Sequence, residues 1–258
     1  MRLGRFRFTL AAAAVGLVGV SAAPVQAGDT LRLHGSTTVT NAIIKPHKAA
    51  IAHRSGLTLK VFPNGSHRGL RDLVQGRAAA AMISAPLKVV AGALNKEAPG
   101  TVKIDGYTAH RVAAQRVTFV VHRGNPVTSL DRAALRRVLT GEVSRWSAVG
   151  GADVPIRIVT ETPGGGVRAL TESKLLDGGT IRGAVTTIGN AAQIPGEVAR
   201  HPNTIGLVSQ AHTLAPDTKR VKLNEPIRQP LFIVTSQPPS AKVQRLLDAV
   251  AAVAGGGA

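Results

Sequence analysis

Residues 31–50 read LRLHGSTTVTNAIIKPHKAA, and residues 57–74 repeat the same grammar as LTLKVFPNGSHRGLRDLV. In each, a short apolar run with strand character gives way to small and hydroxyl residues and then to apolar positions at helical spacing. Residues 31–33 form the first strand and 35–38, Gly-Ser-Thr-Thr, its turn, with Val39, Ile43 and Ala50 along the helix that follows. Residues 57–62 alternate as a second strand, and Asn64-Gly65-Ser66 opens a helix carrying Leu70, Leu73 and Val74. A third strand, 79–83, runs into Ser84-Ala85-Pro86-Leu87, where a residue lacking an N–H ends the ladder. Strands alternating with helices predict a largely parallel sheet, whose ligands sit beyond the carboxyl ends of the strands.

The second half obeys the same rule. Residues 117–121 are a continuous apolar strand, and 130–140 have helical spacing up to Gly141. Residues 156–159 are a strand, 163–166 a glycine loop and 167–176 a helix; strands at 205–209 and 231–235 and a helix at 241–253 complete the chain. No repeat of fixed period appears. The organisation is two α/β lobes without a Pro/Ser linker.

At the amino end, Arg2, Arg5 and Arg7 precede an uncharged run over 10–20, and Val25-Gln26-Ala27 supplies small residues around a cut. This is read as a signal peptide over 1–27. Its apolar run is shorter than the roughly 20 residues that span a bilayer, so no integral membrane segment is expected after cleavage. The three leader arginines leave +15 of the chain's +18 on the exported part. With 44% hydrophobic and 18% charged residues among 258, the chain can bury a core and is not a solvated tail. Its field attracts anions, phosphates or acidic surfaces. The absence of cysteine excludes disulfides, Cys-ligated zinc, iron–sulfur clusters, a thiol nucleophile and a Cys-linked lipid anchor. No cofactor is expected.

Three strand ends share one chemistry: Ser36, Thr37 and Thr38; Gly65 and Ser66; and Gly164, Gly165 and Gly166, each just before a helix. Helix N-termini offer unpaired N–H groups and a positive dipole end, and hydroxyls add neutral donors, so such loops suit an oxyanion. The bland alternative is that the hydroxyls only cap their helices.

These loops, with Met82-Ile83-Ser84-Ala85-Pro86-Leu87, resemble the first-lobe loops of phosphate-binding proteins that serve ABC transporters. Residues 139–146, LTGEVSRW, followed by Gly150-Gly151, resemble that family's "GxxxxW…GG" segment; 203–209, NTIGLVS, its "IGY" strand; and 230–234, PLFIV, its "RPLYIV" strand. The resemblance spans residues 30–253. It implies a type II periplasmic-binding fold, two lobes joined by two crossover strands and closing like a hinge over a ligand. It also implies a periplasmic, monomeric solute-binding protein, taking phosphate or a related oxyanion and passing it to an ABC permease.

Carried over residue by residue, the resemblance matches Ser36, Thr37, Thr38 and Ser66 to the family's hydroxyl loops. Ser84 stands where several phosphate binders have aspartate. The fourth loop departs: where the family resembles "R-x-x-G-S-G-T-R", this chain has Glu161-Thr162-Pro163-Gly164-Gly165-Gly166-Val167-Arg168. Glu161 replaces an arginine, Gly165 a serine and Val167 a threonine. A carboxylate facing a phosphate is repulsive, with Arg168, Arg68, His34 or His67 as candidates to compensate. The resulting ligand set is Ser36, Thr37, Thr38, Ser66, Ser84, Glu161, Gly165, Gly166 and Arg168. The alternatives are the same fold with a less anionic ligand, or a secreted surface-interaction protein with a decayed cleft.

Catalysis and nucleic-acid binding are not expected. Gly65-Ser66-His67-Arg68-Gly69 lacks the "GxSxG" order of a nucleophile elbow, and the eight histidines contain no "HxxxH" pair for a metal. Aromatic residues total 3% and the basic residues are scattered, so there is no stacking platform or basic stripe.

Overall fold

The computed structural model describes residues 29–100 and 102–255. The leader expected at 1–27 lies outside the described residues. The chain runs β1 (Asp29–Gly35), a single α turn α1 (Thr37–Val39) continued as a π turn over Thr40–Ile44, α2 (Lys48–Ser55), β2 (Leu57–Phe62), α3 (Ser66–Val74), β3 (Ala80–Ile83) and α4 (Leu87–Glu97). It continues through β4 (Tyr107–His122), β5 (Ser129–Leu130), α5 (Arg132–Thr140), β6 (Arg157–Glu161), α6 (Gly166–Leu175) and β7 (Val185–Ile188). Last come α7 (Ile194–Arg200), β8 (Thr204–Ser209), β9 (Thr218–Leu223), β10 (Arg228–Ser236) and α8 (Ala241–Ala254).

Pairing sorts these strands into two lobes. In lobe one, β1 lies between β2 and β3, parallel to both, and β10 runs antiparallel to β3. In lobe two, β6 lies between β7 and β8, parallel to both. The 16-residue β4 belongs to both: residues 107–116 pair with β10, whereas 117–121 pair with β8. The strands thus form one connected path, β2-β1-β3-β10-β4-β8-β6-β7, with β9 beside β4 and β5. This is the two-lobed α/β architecture of type II periplasmic-binding proteins, with β4 and β10 as the adjoining long strands.

Strand alternation sends side chains to three cores. Leu31 and Leu33 of β1, Leu57 and Leu59 of β2, and Ala80 and Met82 of β3 pack under α2 and α8. The opposite-facing Ala81 and Ile83 join Leu70, Val90 and Leu94 in a core that also holds Phe119, Leu135, Trp146, Val167 and Leu170 of the second lobe. A third cluster sets Val120, Val159 and Val208 against Ile194 and Val198 of α7. At roughly 25 cal/mol per Å² of apolar surface, these cores drive folding, and the middle one also ties the lobes together.

Local signals fix the ends. The Asp131 carboxylate caps α5, and Gly141, in the left-handed region at φ 82°, closes it. Trp146 is fully buried and donates its indole N–H to the Asn203 carbonyl at 2.9 Å. Gly151 packs so closely on Trp146 that a Cβ there would collide with it, which explains a glycine in this segment. Among the described residues no helix is long and apolar enough to cross a membrane.

Candidate functional site

The carboxyl ends of β1, β2 and β3 meet at one point because the backbone leaves no room for anything else. Gly35 has φ 130° and lies against the Met82 backbone, so that a Cβ would overlap the Met82 carbonyl. Ser36 donates its N–H to that carbonyl at 2.8 Å, and Gly65 donates to the Gly35 carbonyl at 2.9 Å. Gly69 in turn brings α3 onto the backbone of His34 and Gly35. Three loops distant in sequence therefore place Ser36, Thr37, Thr38, Ser66 and Ser84 together, each at most 4% exposed.

Their hydroxyls are partly engaged already. Ser36 Oγ accepts from Val39 N–H at 3.3 Å, which is the capping role. Ser66 Oγ accepts from Ser84 N–H at 3.2 Å and lies 3.4 Å from Ser84 Oγ. Ser36 keeps its rotatable proton to donate, and of the Ser66 and Ser84 hydroxyls one donates to the other and one keeps its proton.

Lobe two presents the start of α6 to this cluster. Gly166 lies so near the Ser66 and Ser84 hydroxyls that any Cβ would overlap both. Among the described residues, two hydrogen bonds between side chains cross between the lobes, Thr37 Oγ1 to His212 Nε2 at 3.2 Å and Thr162 Oγ1 to His67 Nε2 at 3.4 Å, and Lys96 Nζ donates across to the Gly178 carbonyl at 3.3 Å. Burial depresses both histidines to a pKa of about 4, helped at His67 by Arg68 and Arg71, and at His212 by Arg220 working against a backbone hydrogen bond with Ser209. The imidazoles are therefore neutral at ordinary pH, and their Nδ1 atoms are buried without a protein partner.

Glu161 sits at the end of β6 and is buried. Its Oε2 accepts the N–H of Val167 at 2.7 Å and of Arg168 at 3.3 Å, the second and third residues of α6. Burial raises its pKa, opposed by those two N–H groups and the charge of Arg168. Gly165 gives it space, since a side chain there would overlap the Glu161 Cβ, Cδ and Oε2. Arg168 is committed elsewhere, Nε to Glu172 at 2.9 Å and Nη1 to the Glu161 carbonyl at 3.3 Å. Val167 is fully buried in the middle core.

The sequence-derived set thus falls into three groups. Ser36, Thr37, Thr38, Ser66, Ser84 and Gly166 converge. Glu161 and Gly165 form the wall behind Gly166, and Arg168 points into an ion pair. Among the candidate compensators, Arg68 approaches Gly189 across the lobes, with guanidinium nitrogens about 3.3 Å from where a Cβ would stand. His34 is bound to Asp72 at 2.7 Å, within a cluster in which Asn64 and Arg77 also donate to that carboxylate. Burial pushes Asp72 up, but these three hydrogen bonds outweigh it and hold its pKa below the usual range. Sequence reasoning missed His212 and Thr162. His212 follows β8 by three residues, and its position beyond the carboxyl end of a parallel strand was the signal available.

Residues 20–254 match the PBP superfamily domain. A structure described as a phosphate ABC transporter substrate-binding protein with bound phosphate, from Clostridium perfringens, is similar with a TM-score of 0.72 at 20% identity, over 86% of this chain and 93% of that one. An ABC-type phosphate transport receptor from Vibrio cholerae gives 0.62 at 18% identity, over 86% and 93%. The CcmR regulatory domain of Synechocystis PCC6803, in complex with 2-PG, gives 0.61 at 14% identity, over 88% and 97%. At such identities the likeness is one of fold.

Proposed function

Because the chain belongs to the PBP superfamily and has the fold of phosphate-binding ABC substrate-binding proteins, we propose that it is a periplasmic solute-binding protein. It takes phosphate or a related oxyanion between its lobes and delivers it to an ABC-type importer. The observation that carries this reading is the meeting of three strand ends that buries Ser36, Thr37, Thr38, Ser66 and Ser84, with the Ser66 and Ser84 hydroxyls set against the start of α6. Hydroxyls and backbone N–H groups replace the water around an oxyanion without a formal charge.

No bond is broken in this function. Ser66 is partnered by Ser84 and not by an imidazole, so it lacks the base a nucleophile needs. Lobe one comprises 29–116 plus 229–258 and lobe two 117–228, with the hinge in β4 where its partner changes from β10 to β8 after residue 116. Twisting there moves the lobes without breaking either ladder. The leader over 1–27 directs export, and the protein acts as a monomer.

The test is a thermal-shift screen of the chain lacking residues 1–27 against phosphate, sulfate, arsenate and neutral solutes, followed by calorimetry. A ligand bound only by the native state raises the melting temperature. An oxyanion is expected to do so, and Ser66→Ala and Ser84→Ala are each expected to weaken it by about five- to tenfold, the worth of one neutral hydrogen bond. Stabilisation by neutral solutes alone would replace the oxyanion reading.

A further inference from the structure

A carboxylate oxygen resting on the N–H groups of consecutive residues at a helix start makes the same contacts that a bound phosphate or sulfate oxygen makes at such a terminus. In this chain residue 161 makes them. The glycine at 165 belongs to the same arrangement, because only a residue without a side chain leaves the Glu161 carboxylate its place. Two departures from the family pattern, Glu161 and Gly165, are therefore one device: an internal anion and the gap that admits it.

Little positive charge balances this anion. Arg168 of α6 is the cation that acts on it, and its Nε is already paired with Glu172. From α3, His67 reaches Thr162, and Arg68 approaches Gly189, next to Ile188, the β7 partner of Glu161. Lys88, Lys96 and Glu97 of α4 line a groove of about 410 Å³ that they share with Arg168 and Glu172. On α7, Glu197 is held by Arg200 and His201, and β8 carries no titratable side chain.

We propose, on the oxyanion reading above, that Glu161 is a built-in competitor for the α6 N-terminus, so that an oxyanion binds only as the Glu161 carboxylate takes up one proton from solution. With the proton in place the repulsion disappears, and the neutral carboxyl holds the Val167 and Arg168 N–H groups less strongly than the carboxylate does, so that a ligand oxygen can displace it from them. Burial of the carboxyl favours the neutral acid. The cleft therefore binds oxyanions better in acid and discriminates against dianions at neutral pH, a selectivity set by one side chain of the wall.

Calorimetry with sulfate, which carries no proton of its own at these pH values, tests the proposal at about pH 5 and about pH 8 in buffers of different ionisation enthalpy. The wild type is expected to take up close to one proton per sulfate at the higher pH and fewer at the lower, and to bind about tenfold or more weakly at the higher pH. Glu161→Gln is expected to bind without that proton and without that pH dependence. Should this variant fold poorly, Glu161→Ala with Gly165 kept removes the carboxyl group without crowding residue 165 and carries the same expectation. Equal affinity and equal proton uptake in wild type and variant would overturn the proposal while leaving the oxyanion reading intact. Proton uptake that persists in Glu161→Gln would belong to His67 or His212 and would overturn it as well. Binding of neither sulfate nor phosphate at either pH, by either protein, would remove the oxyanion reading and the proposal together.

Discussion

Lobe one and lobe two answer the same problem, holding the start of a helix at the end of a strand, with different materials. In lobe one the seat is backbone: Gly35 against Met82, Gly65 on Gly35, Gly69 on His34, with the Ser66 and Ser84 hydroxyls against Gly166 of the other lobe. In lobe two it is a side chain, the Glu161 carboxylate on α6. A backbone seat cannot be emptied without unfolding the loops. A side-chain seat can be vacated or neutralised. The difference teaches that a shared fold leaves the two sides of one cleft free to carry opposite chemistry.

The largest effect should come from attacking the backbone seat. Gly35→Ala puts a Cβ into the Met82 backbone at a φ of 130°, and is expected to cost about 3 kcal/mol in a denaturant melt. Gly165→Ala collides only with a side chain and should cost about 1 to 2 kcal/mol. That cost, measured against the Glu161→Gly variant, should largely vanish in a Glu161→Gly background, where the Cβ, Cδ and Oε2 that a side chain at 165 would meet are all absent, whereas no side-chain deletion should rescue Gly35→Ala. Equal penalties and equal rescue would erase the distinction between the seats.

Next in size is a pH effect at the junction. His67 and His212, with pKa values of about 4 against 6.5 for free histidine, resist protonation in the folded chain. The unfolded chain binds these protons first, so stability is full above about 6.5 and falls as pH drops towards 4. The loss should be on the order of 2 kcal/mol, smaller in a His67→Gln/His212→Gln variant. Glu161 acts with the opposite sign: its raised pKa makes the folded chain the better proton binder, so its contribution declines as pH rises above 4.5. Melting temperatures from acid to neutral pH, with and without the histidines and Glu161, separate the two slopes.

The repetitive strand–loop–helix units were legible because β1 and β2 alternate buried and exposed residues and β3 is a short run of apolar ones. Among the elements that were not, three show why. Residues 107–116 of β4, YTAHRVAAQR, are half-buried and polar, so tertiary pairing with β10 makes them strand where propensity is silent. In α4, LKVVAGALNKE carries a β-branched pair and Gly92, which mask a helix that packing completes. In β9, TKRVKL has charges on a strand whose pairing to β4 is nonlocal. The hydroxyl loops were readable as helix starts. The behaviour of Glu161 was not, because its six- and seven-residue reach to Val167 and Arg168 depends on how residues 162–165 turn, and sequence suggests only that its charge would oppose a ligand.

The smallest effect tests a side chain within the backbone-built lobe. Ser36→Ala removes the α1 cap and should cost about 1 kcal/mol of stability, leaving the loop positions unchanged in nuclear magnetic resonance shifts of Gly35 and Gly65. A shift of both glycines would show that the hydroxyl, and not the backbone, holds this seat.

The placement of Trp146 has a spectroscopic consequence. The chain contains a single tryptophan and a single tyrosine. The indole is sealed inside lobe two on the Asn203 carbonyl, while Tyr107 opens β4 opposite Ser236, in lobe one. Each lobe thereby owns one natural chromophore. Indole emission follows the packing around Trp146, and excitation transfer from phenol to indole changes with the separation of the lobes, so the protein carries its own optical ruler of opening and closure with no dye attached.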